Sequence, residues 1–126
     1  MDGKTMRTLI VAVAASLLLV RPGPTAAHHS HAMFDTTREV TVRGTVTGMS
    51  YRNPHVFLYL DVKDDSGKLV NWAIEMSNIA NMESRGIYRS TFKIGDVITV
   101  SVNPLRDGRS GGNYTSIIAA DGKKYD

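Results

Sequence analysis

No cysteine occurs among the 126 residues. Disulfides, thiolate metal sites and a cysteine nucleophile are therefore all excluded. Long apolar runs are missing too. The longest uncharged one, Leu9 to Val20, has 12 residues, against roughly 20 for a membrane-spanning helix. Aromatic residues are sparse, with one Trp, five Tyr and three Phe. No phosphate-loop pattern GxxxxGK[ST] is present, which argues against nucleotide binding. No serine, histidine and carboxylate set has the local context of a nucleophile elbow. An ordinary hydrolase is therefore not expected.

The short apolar run has a meaning of its own. Lys4 and Arg7 precede it, and Pro22-Gly23-Pro24-Thr25-Ala26-Ala27 follows it. A basic start, an apolar middle and a small-residue end predict a secretory signal peptide over residues 1–27. Met6 reads as a better start than Met1. Cleavage after Ala27 would leave a mature chain beginning His28-His29-Ser30-His31. The expected location is the bacterial periplasm, with no stable membrane anchor after cleavage.

Removing the leader takes away Lys4, Arg7 and Arg21 against Asp2. Twelve basic and eleven acidic residues remain, a net charge of +1. Without a basic stripe, no nucleic-acid partner is expected. The remaining length suits one domain that holds itself together by its core.

Residues 28–37 read as a polar arm, with Met33 and Phe34 as anchors, and residues 38–126 as the folded domain. Val40, Val42, Gly44, Val46 and Gly48 alternate with polar residues, the period of a half-buried strand. Glycines on the inward face suggest a bend or bulge. Further strands are expected at His55–Lys63, Leu69–Met76, Val97–Val102 and Tyr114–Ala120. Asp64-Asp65-Ser66-Gly67 makes a hairpin turn. Ser77 to Gly86 reads as a short helix, with Ile79 and Met82 facing the barrel. Pro104 to Gly112 reads as a glycine-rich loop whose arginines and amides could hold an anion. Three strands, a short helix and two strands are the element order of an OB-fold, an all-β, five-stranded Greek-key barrel. A plain antiparallel sandwich is the competing architecture. Trp72 reads as barrel core, so Trp72→Ala should cost roughly 3–5 kcal/mol.

Four histidines carry the chemistry. His28, His29 and His31 cluster at the mature terminus, and His55 follows the Asn53-Pro54 turn. Imidazole suits copper, zinc and nickel. A free α-amine at His28 and its own ring nitrogen could chelate one Cu(II), with His29 or His55 as partner. Protons compete for imidazole near pKa 6.5, so affinity should fall below about pH 6. Ten extended residues span at most about 33–36 Å, within which the arm could reach His55. Glu75 shares a strand face with Leu69, Asn71 and Ala73, opposite Trp72, and is a candidate ligand or base. The competing reading of the terminus is a flexible tail, and that of Glu75 a solvated strand position. Asp35 reads as a turn or cap residue.

His28-His29-Ser30, Phe34-Asp35, Gly44-Thr45-Val46, Asn53-Pro54-His55, Trp72-Ala73-Ile74-Glu75-Met76, Gly95-Asp96, Pro104-Leu105-Arg106-Asp107-Gly108 and Gly111-Gly112 together resemble a family of small secreted bacterial proteins of unknown function. That resemblance implies a periplasmic β-barrel and supplies no activity. The family often has an aromatic residue where this chain has His31 or Tyr51. His28, His29 and His55 therefore rank above His31. The candidate metal residues are His28, His29, His55 and Glu75, and copper is the candidate cofactor. The alternatives are a metal-free ligand- or protein-binding adaptor of the envelope, with an unidentified protein partner, and a histidine-brace redox enzyme.

Overall fold

β1 (Val40–Ser50) is long enough to serve two neighbours. Its first half pairs antiparallel with β4 (Val97–Pro104), from Val40↔Val102 to Thr45↔Val97. Its second half pairs with β2 (Phe57–Lys63), from Gly44↔Val62 to Ser50↔Phe57. The strand changes partner around Gly44, where β2 comes so close that a Cβ would lie 2.7 Å from the Asp61 carbonyl oxygen. Only glycine allows that approach. A bulge between Val46 and Gly48 adds to the bend. Residues 32–126 are described by the structure, a computed structural model. The leader over residues 1–27 and His28, His29 and His31 lie outside the described residues.

The hairpin that follows β2 turns at Asp64. Its carboxylate accepts hydrogen bonds from Ser66 N, Ser66 Oγ and Lys68 N at 2.9, 2.6 and 2.9 Å. Those bonds, the Ser66 hydroxyl first, hold its pKa below the ordinary value. β3 (Leu69–Glu75) then pairs with β2 over its whole length, Lys63↔Leu69 through Phe57↔Glu75.

Closure comes from β5 (Gly111–Ile118), which runs antiparallel to β4 and parallel to the end of β3, through Ala73↔Gly111 and Glu75↔Asn113. The ring is β1-β2-β3-β5-β4, a closed five-stranded barrel of OB-like topology. The glycines read from sequence as loop start this strand instead, and the loop is confined to residues 105–110. At Gly111 a Cβ would sit 2.5 Å from the Ala73 carbonyl oxygen. Their role is close backbone contact at the seam. In the loop itself, Arg109 is tied to Asp107 at 2.7 Å. A two-residue strand, β6 (Lys124–Tyr125), also hairpins onto β5, and its Tyr125 packs edge-on against Phe92.

Inward residues Val46, Leu58, Leu60, Ile74, Ile98, Val100 and Ile117 fill the barrel. The short helix α1 (Ile79–Ser84) closes one end with fully buried Met82. Its N-cap, Asn78, accepts a hydrogen bond from Asn81 N at 2.9 Å. Asn53 Oδ1 accepts another from Ile79 N at 2.9 Å, which ties the helix to the β1–β2 loop. The Tyr51 hydroxyl donates to the Ile87 carbonyl at 3.1 Å. Burial, with Glu83 nearby, pushes its pKa up and keeps it a donor.

Trp72 differs from its expected place. It faces inward but sits near the end of the barrel away from α1, packed on the core and only half-buried. Trp72→Ala should therefore cost less than the roughly 3 kcal/mol at which fully buried aromatics begin. Urea denaturation checks this, and a larger loss would mean that the indole is a core residue after all.

Candidate functional site

His55 is held where the hairpin ladder continues past its named strands. Val56 N donates to Ser77 O at 3.0 Å, and Met76 N donates to Val56 O at 2.8 Å. This register puts His55 diagonal to Glu75 on the outer face, a geometry that brings long side chains together. His55 Nδ1 lies 2.9 Å from Glu75 Oε1. The carboxylate side chain is 15% exposed and the imidazole 37%. Two of the four candidate metal residues thus meet, and Glu75 is a paired carboxylate instead of a solvated strand position.

The pair lines a pocket of about 230 Å³. Phe34 and Met76 supply apolar wall, and Arg85, Asn113 and Tyr114 supply polar wall. Arg85 Nη1 donates to the Tyr114 hydroxyl at 3.1 Å, with its guanidinium 5.9 Å from that ring's centroid. Phe34, the expected anchor, is 3% exposed, whereas Met33 is 41% exposed. Backbone bonds seat Phe34: Asp35 N donates to Pro104 O at 2.8 Å and Arg106 N to Met33 O at 2.9 Å. Asp35 accepts from the Thr37 hydroxyl at 2.6 Å and from Thr37 N at 3.2 Å. These bonds lower its pKa and make it a turn residue, as expected.

A histidine whose Nδ1–H donates to a carboxylate keeps Nε2 free and fixed in direction. Such a nitrogen can bind a metal or accept a proton. Among the described residues, no group of three or more His, Cys, Asp or Glu is placed to hold a metal ion. No helix of the described residues is long and apolar enough to cross a membrane. Sequence reasoning did not place Arg85, Tyr114 or Phe34 in the pocket. Arg85 and Tyr114 come from α1's C-terminus and β5, and only closure of the barrel brings them beside His55.

A family model described as a family of unknown function, DUF6152, matches residues 15–114. The chain belongs to that family. The matched span includes His28, His29, His55, Glu75 and Tyr114. No curated protein and no solved structure matches the chain.

Proposed function

We propose that this DUF6152 protein is an exported, periplasmic metal-binding module, selective for Cu(II), that uses His28 and His29 at its mature terminus and His55 on the barrel. The observation that carries this reading is the 2.9 Å contact between His55 Nδ1 and Glu75 Oε1. A carboxylate on one ring nitrogen is the usual partner of a metal-binding imidazole. It sets the tautomer and fixes the direction of the other nitrogen. Glu75 is then an orienting group and not a direct ligand. Five residues lie between His28 and Phe34 of the pocket wall, a span of at most about 22 Å. Nitrogen donors without thiolate favour Cu(II) over Cu(I).

Calorimetric titration with Cu(II) tests the role of the pair. His55→Ala should weaken binding by about tenfold or more. Glu75→Gln keeps the shape but removes the charge, and should also weaken binding, by roughly 10-fold at the lower end of effects on orienting carboxylates. If both variants bind like the parent protein, the site is confined to the terminus and the barrel pocket has another use.

A further inference from the structure

The barrel has two ends, and they are finished differently. Met82 of α1 plugs the end where β3 finishes. At the opposite end of β2 and β3, the inward residues Val42, Val70 and Trp72 are only half-buried, though Leu60, Ile74 and Val100 deeper in are fully buried. A hollow of about 510 Å³ opens there, walled by these three side chains and Val62. That volume is within the roughly 300–1,000 Å³ of small-molecule sites, which favour the mouths of β-barrels.

The rim carries a pair of cations. The β1–β2 ladder ends at Gly44↔Val62, and Arg43 and Lys63 are the residues just beyond it on the two strands; Arg43 Nη1 donates to the Thr99 hydroxyl at 3.4 Å. Two like charges at the end of one ladder repel each other. Among the described residues, neither has a carboxylate within ion-pair distance. Asp64 beside them is committed to its own turn by three hydrogen bonds. Asp65 is the other acidic residue on the wall. Arg43 and Lys63 also line a second hollow of about 350 Å³ beside the first. The two cations thus stand between two open spaces, with an apolar floor on one side.

We propose that this mouth binds a small amphipathic anion, with a flat apolar body against Trp72, Val42 and Val70 and a carboxylate or sulfonate held by Arg43 and Lys63. The anion would relieve the repulsion between the cations, and the ring would cover apolar surface that the barrel leaves half-exposed. This site shares no residue with the His55–Glu75 pocket and does not depend on metal binding.

Trp72 is the only tryptophan in the chain, so heteronuclear NMR of the purified protein gives one indole N–H signal that reports on the site. Three probes share one ring body: naphthoate, naphthalenemethanol and naphthylmethylammonium. Naphthoate should shift the indole signal saturably and bind at least tenfold more tightly than the other two. The Arg43→Gln/Lys63→Gln double variant, checked for an unchanged backbone spectrum, should bind naphthoate no better than the alcohol. Trp72→Phe, followed by calorimetry, should retain naphthoate binding more fully than Trp72→Ala. An indole signal that does not move, equal binding of the three probes, or undiminished naphthoate binding by the double variant would overturn the proposal.

Discussion

Gly44→Val should destabilise the domain by about 3 kcal/mol, the upper range for forced overpacking, in urea denaturation followed by circular dichroism. The cause is local. Gly44 is the point where β1 leaves β4 for β2. An added Cβ would meet the Asp61 carbonyl oxygen at 2.7 Å and a Val62 methyl at 2.9 Å. The first of these is backbone in the middle of a paired strand, so it cannot rotate away as a side-chain tip could. Relief would require β1 and β2 to separate, breaking ladder hydrogen bonds on both sides. Gly48→Ala is the control. Its Cβ would meet nothing closer than Tyr59 at 3.8 Å, so the change should stay within about 1 kcal/mol. Equal, small effects at the two positions would contradict the close approach that bends the barrel.

The second large effect concerns the mature terminus. One extra glycine placed before His28 should weaken Cu(II) binding by at least tenfold, or about 1.4 kcal/mol. The extension keeps every side chain and only moves the amine away from the His28 ring. It therefore separates an amine–imidazole chelate from a loose histidine tail. The α-amine has an ordinary pKa of about 7.7–8.0, low enough for a metal to displace its proton near neutrality. Before cleavage, residues 1–27 would cover that amine, so on this reading binding begins only after export. If the extended and native termini titrate alike, the chelate is wrong.

Much of the barrel was legible because period-two alternation is a direct record of a half-buried strand. β1 to β4 lie within a few residues of their expected places for that reason. The start of β5 was hidden because Gly111 and Gly112 have the composition of a loop. Their lack of side chains serves contact with β3 and β4 across the seam, a tertiary requirement. β6 was hidden by its length, and its Tyr125 gains meaning only from burial against Phe92. Trp72 has the inward face that alternation implies but not the depth, since alternation tells which way a residue points and not how far along the barrel it sits.

The site divides in the same way. His55 and Glu75 were each visible as candidates. Their pairing was also within reach, because the Asp64 turn fixes Lys63 opposite Leu69, and counting back places Phe57 opposite Glu75. His55 then falls diagonal to Glu75. No such count leads to Phe34, Arg85 or Tyr114. They reach the pocket through the docking of the arm on Pro104 and through the closure of β5 on β3.

Native mass spectrometry of the protein secreted by copper-supplied cells reads the terminus and the metal together. One species is expected, a chain beginning at His28 and carrying one copper ion, with the copper lost from the His28→Ala variant. A secreted chain that begins more than two residues from His28, or one that begins there and carries no copper, would contradict that expectation.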